Sequence, residues 1–233
     1  DPLWSRGLGD VYKRQVLYSL LPISSEKGET MELRQQNNQN DSATVLQKAG
    51  LKVKKYVEFS APVKGDPREV NPAWLSRQLI QIIEVEGPVI AKRACDIYLR
   101  AVGIKRMGPE IRSIMSKAIR IGLKEGHIEA ETTFSPSDIM GQTLRLTGGD
   151  LFIIRSRGSR TLEEIPPQEL QFVGQYMARK QNLPKGSEEH LRAILDFFEL
   201  RRLTAQAKKH ILQILQYEMP NIDAAINYIL PLK

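Results

Sequence analysis

Cysteine is almost missing from this sequence: Cys95 stands alone among 233 residues. That excludes an internal disulfide framework and a zinc site built on cysteines, and it fits a reducing, cytoplasmic setting. Histidine is nearly as scarce. His127, His190 and His210 form no HxxxH or HExxH spacing, so they read as surface or turn residues rather than metal ligands. No GxxxxGK[ST] phosphate loop occurs, and Gly148-Gly149-Asp150 offers only a Gly-rich turn, so ATP binding through a phosphate loop is excluded for these residues. Long apolar runs are absent too. "VLYSLLPI" (Val16 to Ile23) falls well short of the roughly 18 residues a spanning helix needs, so no membrane partner is expected. Aromatic residues make up only 6% and are not interleaved with the basic residues, which argues against a single-strand stacking surface.

What the chain does have is charge and a globular balance, with 41% hydrophobic and 26% charged residues. Lysine and arginine total 34 against 27 aspartates and glutamates, a net charge of +7 that permits a polyanion partner. Glu84 and Glu86, and likewise Glu163 and Glu164, form local pairs without a lysine at nuclease spacing and read as helix-end or loop charges. Cys95, set among apolar helix positions, reads as a small buried hydrophobe. No catalytic residue, metal or cofactor is expected in this stretch.

Residues 1–15 end in "DVYKRQ" (Asp10 to Gln15), which resembles a translated sequencing adaptor and is set aside from fold reasoning, with native sequence expected upstream. Residues 16–69 read as a largely disordered linker. "SSEKGETMELRQQNNQNDS" (Ser24 to Ser42) has little to bury, "LKVKKYVEFSAPV" (Leu51 to Val63) can hold a short strand, and "KGDPREVNP" (Lys64 to Pro72) is turn chemistry. From Trp74 the pattern is helical. Leu75, Leu79, Ile82 and Ile83 share a face until Gly87-Pro88 stops the helix. A second helix carries Ala94, Ile97, Tyr98 and Val102 and closes at Gly103, and a third starts at Pro109 with Ile111, Met115, Ala118 and Ile119 on one stripe. Its other face is basic. "GHIEAE" (Gly126 to Glu131) then starts a strand that "LFIIRSRG" (Leu151 to Gly158) can pair with, and three helices followed by a hairpin is the winged helix-turn-helix order.

The pattern recurs. "CDIYLRAVGIKRMGPEIRSIMSKAI" from Cys95 aligns with "LRAILDFFELRRLTAQAKKHILQIL" from Leu191 at constant offset. Tyr98 falls on Ile194, Val102 on Phe198, Met115 on Ile211 and Ile119 on Leu215, while Lys105-Arg106 falls on Arg201-Arg202. The expected fold is therefore mainly α with a small β wing: two tandem winged-helix-like repeats at 70–160 and 161–233. The second lacks an obvious wing, since "MPNIDAAINYILPLK" (Met219 to Lys233) reads as a helix.

"EGP" (Glu86 to Pro88), Arg100, Gly103, Lys105 and Arg106, "RSR" (Arg155 to Arg157) and "EEIPP" (Glu163 to Pro167) resemble a domain of unknown function at the C-terminal end of large bacterial proteins. Those proteins carry a superfamily 1 helicase and, in many members, an endonuclease domain related to very-short-patch repair nucleases. The resemblance spans roughly residues 56–216. It departs where the family often has a histidine after "EGP" and this chain has Ile90 to Lys92. It implies that ATP, magnesium, helicase and nuclease lie upstream, and that this region binds or positions duplex DNA in repair or defence.

The expected DNA contacts are Arg112, Lys117, Arg120 and Lys124 on the third helix, Lys105 and Arg106 at the turn, and Arg155, Arg157 and Arg160 on the wing. Arg201, Arg202, Lys208 and Lys209 are their counterparts in the second repeat. The competing class is a protein-protein interaction module that assembles the parent protein without touching DNA.

Overall fold

The computed structural model describes residues 45–217. The adaptor-like residues, the polar linker up to residue 44 and the last expected helix lie outside them. Among the described residues the fold is mixed, with six α-helices, a three-stranded antiparallel sheet and a separate hairpin.

That hairpin, β1 (Val45–Lys48) and β2 (Leu51–Lys54), lies in the stretch expected to be linker. Its two-residue turn places Ala49 and Gly50 at φ 49° and 79°, the left-handed pair that matches strand twist. Leu51 and Val53 are fully buried while Lys52 and Lys54 face out, a period of two. Two apolar residues thus suffice to order the segment, because a core lies beneath them.

The first core is built by α1 (Pro72–Glu86), β3 (Val89–Ile90), α2 (Ala91–Ala101), α3 (Pro109–Lys124), β4 (Ile128–Glu131) and β5 (Thr143–Leu146). Asn71 caps α1 by accepting the Ala73 N–H at 2.8 Å, and Pro72 takes the first helical position. Leu75, Leu79, Ile82 and Ile83 of α1 meet Tyr98, Leu99, Met115, Ile119 and Leu144. The strand order is β3-β5-β4, with Val89 opposite Leu144 and Ile128 opposite Leu146. The hairpin partner of β4 is thus Thr143–Leu146, not Leu151 to Gly158. The latter segment runs as a connector whose β character amounts to one bridge between Lys54 and Arg155. Ile154 sits in the second core, so pairing it with β4 would strip that core of an apolar residue.

The second core gathers α4 (Pro167–Lys180), α5 (Glu188–Phe197) and α6 (Ala205–Leu215) around Phe172, Val173, Ile194, Phe198, Ile211 and Leu215, with Leu51 and Val53 of β2 joining them. Its α5–α6 turn copies the α2–α3 turn. Ile104 donates its N–H to Leu99 O at 2.8 Å, and Leu200 donates to Leu195 O at 2.9 Å. Gly103 is left-handed at φ 79°, and so is Glu199, its counterpart, at 58°. The left-handed residue is therefore common to both turns although the glycine is not, and Glu199 bears the strain that Gly103 avoids.

Candidate nucleic-acid interface

Counting about 100° per residue along α3, Ile111, Met115, Ala118, Ile119 and Gly122 point to the core, and Lys117, Arg120 and Lys124 cluster on the opposite side. All three are exposed and form no ion pair with a described residue. Lys124 also lies in the last turn, where the helix dipole favours a cation. Lys105 and Arg106 are exposed in the turn before α3, and Arg201, Arg202, Lys208 and Lys209 are exposed on the corresponding turn and on α6. Arg112 stands apart. It lies roughly 100° around the helix from that stripe, and its Nη2 donates to both Asp138 oxygens at 2.7 and 2.9 Å.

The expected wing arginines are elsewhere. Arg155 and Arg160 are 6% and 1% exposed, so neither can meet a phosphate in this fold. Both turn to Glu169, which has no exposed surface and lies in the first turn of α4. Arg160 donates to its two oxygens at 2.8 and 3.1 Å, and Arg155 reaches it through Nη2 at 3.2 Å and its backbone N–H at 2.9 Å. Arg155 also donates to the carbonyls of Glu86 and Pro88, both at 2.7 Å, which joins the "RSR" segment to "EGP". Arg157, half-buried, donates to Arg160 O at 3.1 Å.

The same buried layer takes in Glu86, expected to be a plain helix-end charge. It accepts from the Tyr56 hydroxyl, from Arg93 Nε at 2.9 Å and from the Phe59 N–H at 3.0 Å. Arg93 continues to Glu164 at 3.0 Å. The guanidiniums of Arg160, Arg155 and Arg93 lie 4.3, 5.2 and 5.4 Å from the centre of the Tyr56 ring. Burial, followed by the Glu86 carboxylate, raises the Tyr56 pKa well above its usual value and keeps the phenol a donor. Burial lowers the Arg155 pKa against the pull of Glu169. Arg93, Arg155 and Arg160 with Glu86, Glu164 and Glu169 make up this layer, which ties α1, α2, α4 and the segment after β2 to the connector. The motif segments that hold it were visible in the sequence, but their mutual contact was not.

A groove of about 520 Å³ lies between α2, the loop joining β4 to β5, and α6. Lys92, Arg112, Phe134, Asp138, His210 and Tyr217 are among its lining residues, and the Phe134 and Tyr217 rings meet edge-on at 4.8 Å. Burial lowers the His210 pKa, and its Nε2 has no partner among the described residues. His190 is fully buried. It accepts the Gly186 N–H at Nδ1 and donates from Nε2 to Gly174 O at 2.7 Å, which makes it a structural histidine. His127 is exposed beside Glu125. Among the described residues no group of three His, Cys, Asp or Glu side chains could hold a metal, and no helix is long and apolar enough to cross a membrane.

Cys95 is fully buried, and burial pushes its thiol up to about 12. Colorimetric thiol titration at pH 8 is expected to find it unreactive in the native protein and to release one equivalent on denaturation. Rapid native reaction would mean that α2 opens readily.

Residues 66–113 match the family described as "Protein of unknown function (DUF3320)". The matched stretch runs from the turn before α1 through β3, α2 and the basic turn into the start of α3. No curated protein and no solved structure matches the chain.

Proposed function

We propose that residues 45–217 form a non-catalytic region that holds duplex DNA for a larger helicase-nuclease protein. The observation that carries this reading is the unpaired Lys117, Arg120 and Lys124 stripe, set opposite the core on α3. Helix, short strand, helix, helix and hairpin, with the last strand central in the sheet, is the order of a winged helix. In helix-turn-helix docking the corresponding helix enters the major groove while basic side chains hold phosphates. The copied turn at α5–α6 supports a tandem pair, with Lys105-Arg106 and Arg201-Arg202 at equivalent corners. The helicase and nuclease context rests on the resemblance of the "EGP", "RSR" and "EEIPP" segments, and ATP and magnesium would belong to those other domains.

Fluorescence anisotropy of a labelled duplex of about 20 base pairs, titrated with the protein at rising salt, tests the reading. The logarithm of the binding constant is expected to fall against log salt with a slope of about −3 or steeper, since each neutralised phosphate contributes about −0.9. No binding at about 50 mM salt would overturn it. One observation favours the alternative, a protein-docking module. Residues 132–142, where a winged helix has its wing, contain no lysine or arginine and fold back onto α3 through Asp138. A protein that ignores DNA but is captured by its own upstream domains would establish that alternative.

A further inference from the structure

Arg112 is the one basic residue expected to act on α3 that is already neutralised, and its partner is held firmly. Asp138 Oδ1 accepts the Met140 N–H at 3.1 Å, which caps the 3₁₀ turn Ile139–Gly141, and Asp138 O accepts from the Ser135 hydroxyl at 2.8 Å. The carboxylate is thus placed by the loop between β4 and β5, and Arg112 comes to it. The two side chains are 45% and 54% exposed, so water and an incoming polyanion can compete for the guanidinium.

We propose that Asp138 is a specificity-determining residue that limits how many phosphates α3 neutralises: it holds Arg112 away from the duplex. The proposal rests on the duplex reading above. Its consequence is that the loop in the wing position weakens nonspecific binding instead of adding to it. Asp138→Asn is a suitable test, because an asparagine side chain still accepts the Met140 N–H and preserves the turn while the charge is lost.

The anisotropy titration is run on the wild type, D138N, R112A, the D138N/R112A double variant and E84Q. The last removes a carboxylate from the exposed side of α1 and controls for net charge. D138N is expected to bind about 3–10 times more tightly at about 0.1 M salt, with a slope steeper by about 0.9, the contribution of one added phosphate contact. That gain should disappear when Arg112 is alanine. A D138N gain no larger than that of E84Q, or one that persists without Arg112, would overturn the proposal while leaving the duplex reading standing. A wild type that binds no duplex at any salt would remove both.

Discussion

Replacing Glu169 with alanine is expected to destabilise the protein by about 3–5 kcal/mol, the cost of breaking a buried ion pair by deleting one partner. Glu169 is wholly buried and accepts four hydrogen bonds, two from the Arg160 guanidinium and two from Arg155. Without it Arg160, itself 1% exposed, keeps only the carbonyls of Ser156 and Arg157 and the face of the Tyr56 ring. Two guanidiniums then share a low-dielectric layer with one fewer carboxylate. Against a typical total of about 5–15 kcal/mol, a loss of that size is enough to leave a sizeable unfolded fraction. Urea unfolding followed by circular dichroism measures it as a shift in midpoint. Glu169→Gln, which keeps the side-chain volume and one acceptor oxygen, is expected to cost less. A loss below about 1 kcal/mol for the alanine variant would mean that water enters the layer and solvates the arginines.

The same layer explains which parts of the molecule could be read from sequence. Three helices between Pro72 and Lys124 were legible because their apolar residues recur at helical spacing, and Gly87-Pro88 and Pro109 mark boundaries by backbone chemistry alone. Buried residues of α5 and α6 stand at a constant offset from buried residues of α2 and α3, even where the turn glycine is replaced by Glu199. Arg155, Arg157 and Arg160 looked like a basic wing because their local pattern is that of an exposed strand. What buries Arg155 and Arg160 is a single carboxylate in the next helix, and no local pattern announces a charge partner. The pairing of Arg112 with Asp138 was hidden for the same reason, with a strand and a loop between them. The short strand Thr143–Leu146 was missed because four residues carry too little alternation to compete with the longer "LFII" run at Leu151 to Ile154. Residues that remain exposed and unpaired were read most directly, because their environment is solvent and needs no partner to be inferred.

Those exposed residues carry the second large effect. Changing Lys117, Arg120 and Lys124 together to alanine is expected to reduce duplex affinity by on the order of 100-fold at about 0.1 M salt and to flatten the salt slope by about 2.7, three phosphate contacts at about 0.9 each. Folding should be unaffected. The three side chains lie opposite the α3 core, alanine is the strongest helix former, and exposed substitutions away from special features usually change stability by no more than about 0.5 kcal/mol. A thermal midpoint equal to the wild type, measured on the same preparation, therefore separates lost binding from lost structure. The matching change at Lys208 and Lys209 on α6 asks whether the second three-helix unit shares the load. A loss of similar size there would mean that both units grip one duplex, and an unchanged slope would confine the contact to the first. If the α3 variant retains the full salt slope, the phosphates are met by another face, and the corners at Lys105-Arg106 and Arg201-Arg202 become the next residues to neutralise.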